Sequence, residues 1–108
     1  FYGKFVDSYH TDGKVPDRID DDNVRVYLTA RMNRARLRTK AQGMSLDEQV
    51  EEHTQALREY EWIVDYAKRH PEVRTKPDIG MVQEIALCEE MIGMLPAQLS
   101  RLAARRRR

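Results

Sequence analysis

Residues 45–71 read SLDEQVEEHTQALREYEWIVDYAKRHP, and this stretch decides the fold. Its opening, Ser45-Leu46-Asp47-Glu48, has the spacing of a capping box. The Ser45 hydroxyl accepts from the Glu48 amide while the Glu48 carboxylate returns to the Ser45 amide, so two orphan donors of a new helix are satisfied. Leu46, Val50, His53, Leu57, Tyr60, Val64 and Ala67 then follow at alternating spacings of four and three. Such a run is one continuous stripe along a helix of about six turns. Ala56 and Ile63 widen it, which predicts contact with two neighbours rather than one. Trp62 and Tyr66 lie four residues apart beside the stripe, and aromatics at that place are expected to pack against an adjoining helix pair. Pro71 ends the helix, because its ring pushes His70 out of helical angles.

Upstream, the spacing predicts a helix starting near Asp22 or Asn23, either of which is a good cap. Its apolar positions are Val24, Tyr27, Leu28 and Ala35, with Met32 at the edge, and Gly43 closes it as a left-handed cap. Residues 10–22 hold Asp12-Gly13, Pro16 and three consecutive Asp, the composition of a loop. Before it, Tyr2, Phe5, Val6 and Tyr9 read as the end of another helix. Downstream, residues 71–78 read as a polar linker with Asp78 as the next cap. The last helix carries Val82, Ile85, Cys88 or Glu89, Ile92, Leu95, Leu99 and Leu102. Pro96 is expected to kink that helix or split it after Leu95, and Gly93 to offer a small surface for close helix approach. The chain is therefore all-α, built from antiparallel helix pairs. Two architectures fit: the end of a degenerate tetratricopeptide-like α-solenoid, or a four-helix bundle. No strong 34-residue repeat stands out, and Pro71 falls at the wrong distance from Tyr60 for a regular tetratricopeptide helix.

The 108 residues carry 41% hydrophobic and 34% charged side chains, a composition suited to an exposed helical layer. An opening at Phe1 rather than Met reads as a processed or excised piece of a longer chain. No signal peptide opens it, and no run approaches the ~18 apolar residues of a transmembrane helix, so membrane insertion is not expected. A single cysteine, Cys88, leaves no internal disulfide and suits a reducing compartment. Net charge is +1, but setting aside the four arginines at 105–108 takes it to −3. Residues 1–104 are thus read as a mildly acidic helical region and 105–108 as a disordered basic tail. A nucleic-acid partner loses its main electrostatic support by the same division.

Nothing in the sequence marks a catalyst. His10, His53 and His70 are far apart, and none has a Cys, Asp or Glu at a metal-binding spacing. His53 falls in the core stripe and Cys88 on an apolar face, where both are read as packing residues. No phosphate loop, nucleophile triad or carboxylate pair is present, so no enzyme activity, cofactor or small-molecule substrate is expected. The second helix is basic, with Arg25, Arg31, Arg34, Arg36, Arg38 and Lys40, and no acidic residue occurs between Asn23 and Leu46. Its charges scatter around the helix. They are read as partners for Glu51, Glu52, Glu59 and Glu61 of the next helix rather than as an anion-binding face. Asp20, Asp21 and Asp22 sit at a helix start, where one cap suffices and two carboxylates remain for a partner.

The segment from Trp62 to Glu72 contains Ile63-Val64-Asp65-Tyr66 followed by His70-Pro71-Glu72. Glu89-Glu90-Met91 and Leu95-Pro96 come after it; Phe5-Val6-Asp7-Ser8, the Lys14-Val15 loop and the helix from Ala30 to Leu37 come before. In this order the chain resembles the C-terminal end of the KIF-binding protein family across almost its whole length. The linker from Arg74 to Gly80 looks longer than the family's, and the all-Arg tail departs from it. The resemblance implies a cytoplasmic, cytoskeleton-associated α-solenoid of tetratricopeptide-like pairs. It also implies binding to kinesin motor domains, which hinders their attachment to microtubules and so regulates organelle and vesicle transport. A motor's microtubule-binding face is basic, so a competitor should present acidic groups. Asp20, Asp21, Asp22, Glu51 and Glu52 are the candidate partner-binding residues. The alternative is a structural end-cap of the solenoid that touches no partner.

Overall fold

The computed structural model describes residues 19–40 and 42–106. The expectations for residues 1–18 and for the last two arginines lie outside them. All regular structure among the described residues is helical: α1 (Asp21–Lys40), α2 (Leu46–Arg69), the single turn α3 (Glu72–Thr75) and α4 (Val82–Arg106). The α1–α2 and α2–α4 neighbours run antiparallel, with α2 packed against both, as the two-sided pattern of its sequence predicts.

The start of α2 is the capping box read from sequence. Glu48 N–H donates to Ser45 Oγ at 3.2 Å, and Ser45 N–H to Glu48 Oε1 at 3.3 Å. Its end is set by Pro71: His70 leaves helical angles at φ −129°, ψ 78° while its amide still reaches the Tyr66 carbonyl. The predicted stripe is buried at His53, Tyr60, Val64 and Ala67, but Leu46, Val50 and Leu57 are only half-buried. Ala56 and Ile63, fully buried, are the true centre of the face, because α2 is covered from two sides. On α1, Val24, Tyr27, Leu28 and Ala35 are buried and Met32 packs at the margin, as expected. That helix starts at Asp21, so Asp22 and Asn23 lie inside it and do not cap it; the Asp20 carbonyl instead accepts from Asn23 and Val24. Gly43 takes the left-handed φ of 78° expected of it.

Several expectations are corrected downstream. Residues 71–78 are not a plain polar linker, for they wind into α3 and bury Val73. The Met81 amide donates to the Val73 carbonyl at 2.9 Å, tying this turn to the entry of α4. Asp78 is exposed and does not cap α4. A turn through Gly80 at φ 52° buries Ile79 and Met81, and the Met81 carbonyl accepts the first α4 hydrogen bond from Ile85. Pro96 does not split the helix, which runs on to Arg106 and so takes in the first two arginines of the basic block. Pro96 is exposed. Gly93 makes no close approach, since an added Cβ would meet nothing within 4 Å. Ile85, Cys88, Leu95 and Leu102 form the buried side of α4, and Cys88 rather than Glu89 takes the inward place. Val82 is exposed.

Candidate interaction surfaces

The basic face of α1 is largely consumed by α2. Glu59, buried to 6% exposure, is the hub. Arg34 grips it with a two-pronged fork, Nε to Oε2 at 2.7 Å and the terminal amine to Oε1 at 2.5 Å, while Arg31 Nε reaches Oε1 at 3.0 Å. Arg38 bonds Glu52 at 3.0 Å, and its Nε lies 3.9 Å from Glu59, buried without a hydrogen-bond partner among the described residues. Arg31 completes the seam by stacking its guanidinium 4.0 Å from the Trp62 ring, a cation–π contact in a dry setting. Trp62 meets Tyr27 edge-on at 6.0 Å and stacks on Tyr66 at 5.3 Å, and the Tyr66 hydroxyl accepts from the Ile19 amide. Burial pushes the Tyr27 phenol above its ordinary range, with Arg31 opposing. Trp62 and Tyr66 thus pack on α1 and on Ile19 just before it, not on a further helix pair, because α1 covers that side of α2. The expected charge pairing holds at Glu52 and Glu59. It fails at Glu51, which takes a bond from Gln55 on its own helix, and at Glu61, which is exposed.

The acidic candidates fall into two groups. Asp20, Asp21 and Asp22 stand at the start of α1, whereas Glu51 and Glu52 stand near the start of antiparallel α2. Twenty residues of helix separate the two places, about 30 Å. Asp21 is committed to an ion pair with Lys76, whose ammonium that carboxylate raises above its usual range; Asp20 and Asp22 are exposed. At the other end, Glu51 and Glu52 share a shallow cleft of about 260 Å³ with Met44, Asp47 and Glu48. Asp47 and Glu48 were missed as surface candidates because the sequence had already assigned them to the first turn of a helix. The signal was there: four carboxylates at 47, 48, 51 and 52 repeat with the helical period.

His53 is a packing residue, its Nδ1–H donating to the Gln49 carbonyl at 2.8 Å. His70 lies against the Tyr66 ring at 4.3 Å. Cys88 is buried, and desolvation pushes its thiol up to about 12. Among the described residues no group of three or more His, Cys, Asp or Glu is placed to hold a metal, and no helix is long and apolar enough to cross a membrane.

The family model described as "KIF-1 binding protein C terminal" matches residues 1–102. The chain belongs to this family. It is 31% identical over 103 residues to KIF-binding protein of Danio rerio, covering 94% of this chain and 16% of that protein. Against KIF-binding protein of Gallus gallus the identity is 31% over 106 residues, 97% of this chain and 17% of the relative. The Homo sapiens protein of the same name is 31% identical over 102 residues, again 94% of this chain and 16% of the relative. The chain therefore spans about a sixth of the length of the curated relatives that it matches. No solved structure matches it.

Proposed function

We propose that this chain serves as the C-terminal region of a non-enzymatic, cytoplasmic protein that binds kinesin motor domains. In this reading the whole protein hinders motor attachment to microtubules and so regulates organelle and vesicle transport, on a tetratricopeptide-like α-solenoid. The observation that carries it is the family match along residues 1–102, with relatives whose name is KIF-binding protein. Physical chemistry supports a role for this region's acidic surfaces. Asp20 and Asp22 at one end, and the Asp47, Glu48, Glu51 and Glu52 cleft at the other, are the carboxylates to meet a basic motor face. Charges at an interface rim govern association rate and its salt dependence more than final affinity.

The test is association of a kinesin motor domain with the full-length protein across a salt series. Asp20→Asn with Asp22→Asn, and Asp47→Asn with Glu51→Gln, each remove two charges while sparing the Glu48 cap, the Glu52–Arg38 bond and the Asp21–Lys76 pair. Slower association at low salt, converging on the parent as salt rises, is the expected outcome. Rates and salt slopes unchanged in both variants would remove this region from the interface.

The second reading, a structural end-cap, is favoured by the outer side of α4. Gln83, Glu90, Gly93, Ala97, Ser100 and Ala104 are exposed there, a largely polar and small surface interrupted by Leu87 and Met94. Terminal repeats of solenoids need such a face. Under that reading the acidic variants bind normally, while disrupting the buried side of α4 destabilises the whole protein.

A further inference from the structure

A second cleft, of about 350 Å³, opens where the end of α1, the start of α2 and the end of α4 meet. Gln49 and His53 of α2 form one wall; Arg101 and Arg105 of α4 form the other, over Leu102. Among the described residues no carboxylate lines it. That sets it apart from the α1–α2 seam, where Arg31, Arg34 and Arg38 are all taken up by Glu59 and Glu52. Arg101 and Arg105 are exposed and form no ion pair among the described residues. They are four residues apart on one helix, so their Cβ atoms stand about 5–6 Å apart and the two guanidiniums can converge on one group. His53 faces them with its ring fixed. A carbonyl only accepts, so the bond to Gln49 places the proton on Nδ1 and leaves Nε2 as the nitrogen available to the cleft. That nitrogen can accept a hydrogen bond from a protonated phosphoryl or carboxyl group. Gln98, also in the lining, adds an amide donor.

We propose that this cleft binds a single oxyanion, phosphoryl or carboxylate. The volume is at the lower end of small-ligand pockets. Paired guanidiniums suit the geometry of either oxyanion. This inference does not depend on motor binding.

The experiment is a titration of the isotope-labelled protein with phosphoserine and, separately, with N-acetylglutamate, following the His53 ring and arginine side-chain NMR signals. The expected result is saturable movement at His53, Arg101 and Arg105 with little at exposed Arg58. Affinity should fall roughly tenfold or more in Arg101→Gln with Arg105→Gln, since charge-assisted hydrogen bonds are lost. The tighter of the two probes tells phosphoryl from carboxylate. Arg101→Lys with Arg105→Lys keeps the charge and loses the fork, so it should weaken binding partially; it also stands in if the Gln variant misfolds. Shifts that do not saturate, shifts equal at Arg58, unchanged affinity in the variants, or tighter binding of duplex DNA than of either probe would each overturn the proposal.

Discussion

The two seams that meet on α2 are built from opposite materials. Toward α1, the helix presents Glu52, Glu59, Trp62 and Tyr66, and the contact is a lattice of guanidinium, carboxylate and aromatic ring. Toward α4, it presents Tyr60, Val64 and Ala67 to a side lined by Ile85, Cys88 and Leu95, and that contact is apolar. The first seam is directional: Arg31, Arg34 and Arg38 all bond to Glu59 or Glu52, so sliding α1 by a turn breaks several bonds at once. The second is tolerant in direction and draws its stability from area removed from water, ~25 cal/mol per Å². A buried ion pair is costly to desolvate, so the charged seam contributes register more than net stability. The lesson is that one helix can have its position set on one side and its stability supplied on the other.

Removing one member of the charged seam tests this most severely. Glu59→Ala is expected to cost about 3–5 kcal/mol in urea unfolding, because Arg31 is left buried without its carboxylate. Arg31→Met combined with Glu59→Leu should cost much less than that single change, since both buried charges go together. A double variant as unstable as Glu59→Ala alone would mean that the pair is a net source of stability.

Next in size is the apolar seam. Ile85→Ala, at a fully buried site, should cost about 2–4 kcal/mol by the same measurement. Here no partner substitution on α2 should rescue the loss unless it refills the volume. A loss below about 0.5 kcal/mol would show that the α2–α4 contact is not the source of stability assigned to it.

The same seam protects Cys88. With its pKa moved from about 9 to about 12, the native thiol at pH 8 should label with iodoacetamide on the order of a thousandfold more slowly than in urea. The sign for stability follows: below about pH 9 the thiol is protonated whether folded or not, and stability is unaffected. As pH rises from about 9 toward about 12 the unfolded chain loses the proton first, so folding is progressively weakened. Fast native-state labelling would mean that the seam opens readily.

The smallest effect lies outside both seams. Gly93→Ala on the exposed side of α4 should stabilise by about 0.5–1 kcal/mol, because the helix gains propensity and the new methyl meets nothing within 4 Å. Destabilisation in thermal melts would reveal a neighbour at that face.

Sequence alone determined the local events. The capping box at Ser45, the stop at Pro71, the left-handed Gly43 and the buried faces of α1 and α2 each depend on residues within a few positions of one another, where spacing and chemistry are sufficient. The family likeness was legible too, because Ile63-Val64-Asp65-Tyr66 and His70-Pro71-Glu72 are contiguous strings. Long-range geometry decided the rest. Which carboxylate an arginine meets depends on how α1 and α2 are set against each other, so Glu59 became the hub while Glu51 and Glu61 did not. The five acidic candidates were equivalent as letters, yet antiparallel packing sent them to opposite ends and joined Asp21 to Lys76, 55 positions away. The turn at Gly80 displaced Asp78 from capping because Val73, Ile79 and Met81 gained more by entering the core than one cap could supply. The cleft between Gln49, His53, Arg101 and Arg105 exists only because three helix ends converge, a property of the packed chain and of no segment within it.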